Sequence, residues 1–169
     1  MPEPPHDAQA GADAGDEPRW LSPSEKEAWT GAVSLMLLLP NRLESAVQRA
    51  AGLTLFEYLT LSHMSEAPDR RLVMSELAYL TNGSLSRLSN VMKKFEARGW
   101  AYRHPDPDDG RRTIAALTDE GWAKVVEAAP AHVQSVREHV LDPLTVTDQR
   151  ALARIAAKLR TRPEDFAAS

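Results

Sequence analysis

Residues 75–99 read SELAYLTNGSLSRLSNVMKKFEARG, and this stretch decides the fold. Its first part predicts a short helix that ends at Leu80. The residues Thr81-Asn82-Gly83 then predict a tight turn, because asparagine and glycine tolerate positive φ. Ser84 is a good N-cap for a second helix, which we expect to run to Arg98. Two helices joined by such a turn form a helix-turn-helix.

The second helix, residues 84–98, has two chemically different faces. Apolar side chains recur at three- and four-residue spacing, which predicts a buried face formed by Leu85, Leu88, Met92 and Phe95. The polar and cationic side chains fall largely on the opposite face: Ser86, Arg87, Ser89, Asn90, Lys93 and Lys94. Gly99 follows where a C-terminal cap belongs.

A β-hairpin is predicted after this helix. Residues 100–103 and 112–117 form its strands. The loop between them, residues 104–110, is too rich in proline for a helix or a central strand. Residues 71–73 predict a further short strand before the helix-turn-helix. The hairpin adds a small β wing to the two helices.

Two helices are predicted before this unit. Residues 24–27, SEKE, have capping-box spacing and begin a helix that extends to about Arg49. Pro40 must kink or split that helix. The same spacing recurs at residues 54–57, which begin a helix that ends before Pro68.

The C-terminal part is also predicted to be helical. Thr118, followed by two acidic residues, caps a long helix that reaches Leu141 and is interrupted near Pro130. Thr145 or Thr147 starts a last helix.

Charge is distributed unevenly along the chain. The net charge of −4 argues against nucleic-acid binding only if the chain is treated as uniform. Residues 84–112 carry seven basic and four acidic residues, so this part is a basic patch. Residues 1–18 hold five acids and no lysine or arginine, and residues 1–20 are predicted to form a disordered acidic tail. The local field at a contact surface, rather than total charge, steers association with phosphate.

Composition and motifs exclude several classes of protein. The chain has 169 residues and no cysteine, which leaves no disulfide, thiolate zinc site or cysteine nucleophile. It has no phosphate-binding loop, G-x-S-x-G or H-E-x-x-H motif, so we expect neither an enzyme nor a cofactor. No apolar run approaches the roughly 20 residues that span a bilayer, and the N-terminus has no signal pattern. A soluble, cytoplasmic protein is therefore expected, without contact to a membrane.

The polar face of residues 84–98 suits the major groove of double-stranded DNA, where base edges present distinguishable donors and acceptors. Asn90 suits adenine and Arg87 suits guanine, whereas Lys93 and Lys94 are better partners for phosphate. Three serines are weaker candidates for contacting DNA: Ser84, Ser86 and Ser89.

The hairpin loop offers a second contact. Arg111 at its tip suits the narrow minor groove, where the negative potential is enhanced, and Arg112 is a further DNA-binding candidate. Asp109 either holds Arg111 in a salt bridge or is only a turn residue beside Gly110.

The order of elements and several motifs resemble the multiple antibiotic resistance regulator (MarR) family. The similar residues are Glu76-Leu77-Ala78, Ser84–Gly99, Asp109-Gly110-Arg111, Leu117-Thr118 and Gly121. In that family five residues separate a D-x-R pair in the wing from an L-T pair that opens the long helix, and this chain keeps the spacing. The resemblance covers residues 24–160. It implies a winged helix-turn-helix regulator of transcription, most commonly a repressor, with Asp109 and Arg111 in the wing roles described above.

We expect a homodimer, because one winged domain covers one half-site and a dimer reads two half-sites about 10 base pairs apart in a pseudo-palindromic operator. The predicted fold is mainly α with a small β-hairpin wing. Residues 53–118 form the winged helix-turn-helix domain, and residues 21–52 and 119–162 supply N- and C-terminal dimerisation helices. Apolar residues available for pairing are Leu35, Leu39, Val133, Val136, Leu144, Leu152 and Ile155. The alternative is that these helices pack only on their own domain.

The resemblance also implies a cleft between the dimer helices and the winged domain, where a small aromatic or anionic ligand binds and releases the DNA. Four residues are candidates for contacting it because of their aromatic or imidazole groups: Trp29, His63, Trp122 and His132. His132 and His139 share a helical face, but two histidines do not complete a metal site, and no metal is predicted. The alternative function is a winged-helix module that binds protein rather than DNA, which the acidic tail would suit.

Overall fold

The computed structural model describes residues 18–159. The chain divides into two units between Met36 and Leu37, inside the first helix, and each unit is described by itself. Residues 1–17 of the predicted acidic tail lie outside the described residues, as do residues 160–162 of the predicted C-terminal dimerisation region.

Helices dominate the described part of the chain, and three short strands accompany them. In chain order the elements are α1 (Pro23–Ala51), α2 (Leu55–Glu66), β1 (Arg71–Val73), α3 (Met74–Leu80), α4 (Leu85–Ala97), β2 (Ala101–Pro105), β3 (Thr113–Leu117), α5 (Asp119–Val136) and α6 (Val146–Leu159). A 3-10 turn at Pro68–Arg70 precedes β1, and a π-helical turn at Arg137–Leu141 follows α5. The predicted fold class is confirmed.

Capping boxes start α2 and α6. At α2, Thr54 Oγ1 accepts from the Glu57 N–H at 3.1 Å, and the Glu57 carboxylate accepts from the Thr54 N–H at 3.0 Å, as predicted. At α6 the same reciprocal pair joins Thr145 and Asp148, at 3.2 and 3.1 Å. Thr145, and not Thr147, is therefore the cap of the last helix.

The predicted start of α1 at Ser24 and Glu27 is wrong. The reciprocal pair is formed two residues earlier, where the Ser22 N–H donates to Glu25 Oε2 at 2.8 Å and the Glu25 N–H donates to Ser22 Oγ at 3.4 Å. Pro23 explains the shift, because proline is favoured at the first position of a helix and the cap must precede it.

Neither internal proline breaks its helix. Helix α1 continues through Pro40, so of the two predicted effects the split does not occur, and α5 continues through Pro130, so the predicted interruption is wrong. Both prolines are exposed, and water can hydrate the carbonyl that the missing N–H leaves without a partner. The irregular turn lies later, where the Asp142 N–H bonds to the Arg137 carbonyl at 2.8 Å in the five-residue pattern of a π-turn.

The three strands form one antiparallel sheet in the order β1-β3-β2, so β3 is central. Strand β1 confirms the short strand predicted at residues 71–73. The hairpin of β2 and β3 confirms the predicted wing, but its loop is residues 106–112 rather than 104–110. His104 and Pro105 belong to β2, because they pair with Ile114 and Thr113 on β3. Proline is tolerated there since β2 is an edge strand.

The hydrophobic core of the second unit lies between α2, α3, α4, α5 and the sheet. Its fully buried large apolar side chains are Val47, Leu53, Leu61, Met64, Leu77, Leu88, Met92 and Phe95. In α4, three of the four predicted core residues are confirmed, whereas Leu85 is 56% exposed and Val91 is buried. Leu85 is the first residue of the helix and lies before the turns that pack on the core.

The junction between β3 and α5 is fixed by the L-T and glycine motif. Thr118 Oγ1 donates to the Gly99 carbonyl at 2.7 Å and accepts from the Gly121 N–H at 3.1 Å. The Thr118 N–H donates to the Trp100 carbonyl at 3.0 Å. A Cβ at position 121 would overlap that carbonyl. The motif therefore joins the start of α5 to the segment that leaves α4.

Candidate nucleic-acid interface

A narrow polar stripe runs along the outer side of α4. Ser86, Asn90 and Lys93 recur at four- and three-residue spacing, so they share one face of the helix, and all three are exposed. Within residues 18–159 their side chains make no hydrogen bond or ion pair to another residue. The stripe thus presents a hydroxyl, an amide and a cation outward. The other predicted contacts on this helix have intramolecular partners.

Arg87 lies against α2. Its guanidinium carbon is 4.0 Å from the centroid of the Phe56 ring, a cation–π distance. The edge of the same ring meets the turn between α3 and α4, where a Cβ on Gly83 would lie 2.5 Å from Phe56 Cε2. Asn82 supplies the positive φ of the turn, at 50°. Glycine is therefore required at position 83, because the Phe56 ring approaches it closely. The same ring holds the guanidinium of Arg87 in place.

Lys94 is paired with the buried end of α2. Its Nζ donates to Glu57 Oε1 at 3.2 Å, while Glu57 Oε2 completes the cap of α2. Burial would raise the pKa of the Glu57 carboxyl, but the hydrogen bonds from Thr54 and Lys94 together outweigh it, and the pKa lies below its usual value. This ionised pair gives Lys94 a role in packing α4 on α2 that the sequence did not predict.

Two of the three candidate serines are also engaged. Ser84 Oγ accepts from the Arg87 N–H at 3.2 Å and caps α4, as predicted. Ser89 is half-buried, and its Oγ accepts from Arg103 Nη1 at 3.1 Å. Ser86 is the serine whose hydroxyl lies on the outer stripe.

The sequence analysis did not single out Arg103 and Glu96. Arg103 Nε and Nη2 donate to the two oxygens of Glu96, each at 2.8 Å, in a bidentate pair. Hydrogen bonding to Arg103 lowers the pKa of the Glu96 carboxyl, and the same pair raises the pKa of the guanidinium. Arg103 had been counted only as one charge of the basic patch. The available signal for this ion pair was that Glu96 and Arg103, which carry opposite charges, lie on either side of Gly99.

The wing tip contains both of the arrangements considered for Asp109. Arg111 Nε donates to Asp109 Oδ1 at 3.1 Å, and the Arg111 backbone N–H donates to the same oxygen at 3.1 Å. Asp109 is therefore a salt-bridge partner and a turn residue. The hydrogen bond from the Arg111 side chain lowers the pKa of its carboxyl. The Arg111 side chain itself is 92% exposed.

A buried aspartate organises the rest of the wing loop. Asp106 Oδ1 accepts from the Asp108 N–H at 3.0 Å, and Oδ2 lies 3.7 Å from Arg112 Nη1. The Asp106 N–H donates to the Arg112 carbonyl at 3.0 Å. Arg112 thus closes the base of the loop, while half of its side chain remains exposed.

The four predicted ligand residues have different surroundings. Trp29 belongs to the first unit and is exposed. Trp122 lies under Arg70, whose guanidinium carbon is 4.8 Å from the indole centroid. The His132 ring lies 4.6 Å from the ring of Tyr58, and its buried Nδ1 has no hydrogen-bond partner in the described part of the chain. His63 is half-buried on α2.

An open cleft of about 340 Å³ lies between the second half of α1 and the end of α5. None of the four predicted ligand residues lines it. Its lining residues are Arg42, Ala46, Arg49, Ala50, Ala131, Gln134, Ser135, Glu138 and His139. Arg42 Nη1 lies 3.4 Å from His139 Nδ1. Arg42 and Arg49, against the single carboxylate of Glu138, give the lining a net positive charge.

Two kinds of feature are absent from residues 18–159: metal-ligand clusters and membrane-spanning helices. Groups of three histidine, aspartate or glutamate side chains able to hold a metal ion do not occur in that range. No helix in that range is long and apolar enough to cross a membrane.

This geometry defines a winged helix-turn-helix protein, and known proteins share it. A model of the MarR family matches residues 51–112. Sco3205, a MarR family transcriptional regulator from Streptomyces coelicolor solved in complex with DNA, is 38% identical, with 84% of this chain and 89% of that chain covered and a TM-score of 0.78. AbsC, a MarR family transcriptional regulator from the same organism, is 36% identical, with coverage of 86% and 100% and a TM-score of 0.75.

A probable transcriptional regulator from Pseudomonas aeruginosa is 25% identical, covers 78% of this chain and 98% of its own, and has a TM-score of 0.61. A comparison with curated proteins gave no match. The identity and coverage shared with the two Streptomyces regulators are decisive. The chain belongs to the MarR family of transcriptional regulators.

Proposed function

We propose that this protein is a DNA-binding transcriptional repressor that acts as a homodimer on a pseudo-palindromic operator. The observation that carries the proposal is the outer stripe of α4, where Ser86, Asn90 and Lys93 are exposed without intramolecular partners. An amide can make a bidentate contact to adenine, and an ammonium can neutralise a phosphate. Sco3205, which is 38% identical to this chain, was solved in complex with DNA, and this supports DNA as the partner.

The wing supplies the second contact of the proposal. Arg111 is almost fully exposed, yet its guanidinium is steered by Asp109. A minor groove with a strong negative potential attracts such an arginine. Arg87 is the candidate guanine reader, and its stacking on Phe56 limits the conformations it must give up on binding. Lys94 has a smaller part in the proposal because Glu57 neutralises it.

The homodimer is supported by an apolar face on α6. Leu152, Ile155 and Leu159 share one side of this helix and are exposed, and no residue of α6 within the described range is buried. An amphipathic helix without a covered apolar face is typical of a subunit interface. We expect sedimentation equilibrium to give a dimer, and the double substitution Leu152→Glu and Ile155→Glu to give a monomer. A wild-type monomer at micromolar concentration would contradict this part of the proposal.

The cationic cleft is the candidate site for a small organic anion that releases DNA. Arg42 and Arg49 lie two turns apart on α1 and can both reach a carboxylate or phosphate group. The four ligand residues predicted from the sequence, Trp29, His63, Trp122 and His132, remain candidates beside this cleft. A regulator of transcription must reach DNA, so the cytoplasmic location expected from the sequence remains part of the proposal.

The experiment compares Arg111→Ala with Arg150→Ala on duplexes from the region upstream of the protein's own gene. Arg150 is an exposed arginine on α6, on the side opposite Leu152, so the two variants lose the same charge. We expect Arg111→Ala to lower affinity substantially with melting temperature unchanged, and Arg150→Ala to bind as the wild type does. Undiminished binding by Arg111→Ala would remove the wing from the mechanism.

A further inference from the structure

Arg103 joins the wing to the recognition helix α4 at two separate points. All three nitrogens of its guanidinium are engaged: Nε and Nη2 by the carboxylate of Glu96, and Nη1 by the hydroxyl of Ser89. The side chain is 24% exposed, and that of Glu96 is 32% exposed. An arginine fork held in this way has little rotational freedom.

The two attachment points lie far apart along α4. Ser89 and Glu96 are seven residues apart, which is two helical turns, or about 10 Å along the axis. A single bond between a strand and a helix allows the strand to pivot, whereas a guanidinium held by three bonds to residues in different turns of the helix resists rotation. Glu96 holds the last turn of α4, and Ser89 is next to Asn90 on the outer stripe.

The other end of the connection is the centre of the wing. Arg103 is the middle residue of β2 and pairs with Ala115 on β3. The same hairpin carries the loop 106–112 and therefore Arg111 at its tip. The direction of β2 relative to α4 thus sets where Arg111 lies relative to Asn90.

The connection is poorly suited to a purely stabilising role. The core below it is already formed by buried apolar residues of α4, including Met92 and Phe95. A partly exposed ion pair usually adds little to the stability of a fold, although the bidentate geometry makes this pair a stronger one than most. Contacts on two elements must nevertheless be held within roughly 0.5 Å of the binding geometry to act together.

We propose that Arg103 is a positioning residue for DNA recognition, which sets the spacing between the major-groove face of α4 and the minor-groove contact of Arg111. It acts through Glu96 and Ser89 and does not itself touch DNA. The inference rests on the proposed function, and it makes the contribution of Arg111 to affinity depend on Arg103.

The first test is a double-mutant cycle of Arg103→Gln with Arg111→Ala on the operator, with Arg150→Gln as the matched loss of charge. We expect the Arg103→Gln protein to bind the operator about tenfold more weakly than the wild type does. The factor lost on Arg111→Ala should be much smaller in the Arg103→Gln background than in the wild type. An equal factor in both backgrounds would overturn the proposal, because a fold-stabilising or phosphate-binding arginine gives that result.

The charge-swapped protein, Glu96→Arg with Arg103→Glu, separates positioning from direct contact. The swapped pair keeps the ion pair, and the Ser89 hydroxyl can donate to the new carboxylate. We expect it to recover most of the affinity lost by Arg103→Gln and the full effect of Arg111→Ala. No recovery, in a protein that melts as the wild type does, would contradict positioning.

A third measurement does not depend on DNA. Residual dipolar couplings of the backbone N–H groups report the orientation of α4 and of the β2–β3 hairpin. In the wild type, both elements should fit one common alignment. In Arg103→Gln, each element should need an alignment of its own. If both proteins fit one orientation, the inference fails. If the orientations separate but the wild type shows no selective DNA binding, the proposed function fails while the positioning by Arg103 stands.

Discussion

At the scale of single residues, α4 separates side chains that hold the fold from side chains that remain available to a partner. Ser89 and Lys94 face neighbouring elements and are engaged by Arg103 and Glu57, while Arg87 stacks on Phe56 and remains exposed. Ser86, Asn90 and Lys93 are not engaged in this way. The available side chains form a stripe about one residue wide, so a substitution there should affect recognition and not stability.

Asn90→Ala tests this directly. Asn90 is exposed and its amide has no partner in the described chain, so its loss should leave the melting temperature unchanged. We expect the preference for the operator over random DNA to fall by about 1–3 kcal/mol, the contribution of one good base contact. Competitive fluorescence anisotropy with both duplexes measures the ratio. A ratio equal to that of the wild type would show that Asn90 reads no base.

His132 provides a second prediction at this scale. Burial against Tyr58 lowers the pKa of its imidazole, and its Nδ1 has no partner. The unfolded chain, whose histidines have a pKa of about 6.5, therefore takes up this proton before the folded chain does, and stability falls as the pH decreases below that value. His132→Leu removes this titration.

We expect the decrease in unfolding free energy between about pH 7.5 and pH 5.5 to be smaller in His132→Leu than in the wild type. Urea unfolding at the two pH values measures it. The same pH dependence in both proteins would show that His132 does not contribute.

At the scale of elements, local signals predicted more of the molecule than long-range ones. The caps at Thr54, Ser84 and Thr118 were correct because capping depends on residues within one turn. The continuity of α1 through Pro40 and of α5 through Pro130 was not predicted, because the effect of an internal proline depends on solvent exposure, which the sequence does not give. The pair of Lys94 with Glu57 spans 37 positions and arises only when α4 packs on α2.

The candidate site was predictable to a similar degree. The outer stripe follows from helical spacing, and the pairing of Asp109 with Arg111 follows from a two-residue separation. The lining of the cleft could not be predicted, because it brings together residues of α1, the end of α5 and the π-turn after it that are about 90 positions apart, such as Arg42 and His139. The four predicted ligand residues were selected for their aromatic or imidazole groups. Two of them pack against other side chains, since Trp122 lies under Arg70 and His132 lies against Tyr58.

The turn between α3 and α4 gives a prediction at the element scale. A Cβ at position 83 would lie 2.5 Å from the Phe56 ring, which is buried and covered by Arg87. Gly83→Ala should therefore destabilise the protein by about 1–3 kcal/mol, as overpacking typically does. Gly110→Ala in the wing is the control, because nothing lies within 4 Å of its Cβ and its φ is not positive.

Urea unfolding compares the two variants. The control should stay within about 0.5 kcal/mol of the wild type, as surface substitutions usually do. A Gly83→Ala protein as stable as the control would show that Phe56 moves aside, and Arg87 would then not be held.

At the scale of the whole molecule, function depends on two distances. One is the distance from α4 to the wing tip within a subunit, which the connection through Arg103 fixes. The other is the distance between the two α4 helices of the proposed dimer, for which the apolar face of α6 is the candidate determinant. We expect an anion in the cleft between α1 and α5 to act on the second distance, because both helices belong to the predicted dimerisation region.

The central claim is that the exposed stripe of α4 and the wing bind DNA through phosphates and base edges together. The most direct measurement is a salt series of binding to duplexes from the region upstream of the protein's own gene, with random duplex as competitor. We predict selective binding whose logarithm falls linearly with the logarithm of salt concentration, at a slope of about −0.9 for each phosphate neutralised. A folded dimer that binds the upstream duplex no better than random DNA at any salt concentration would contradict the account and favour a module that binds protein.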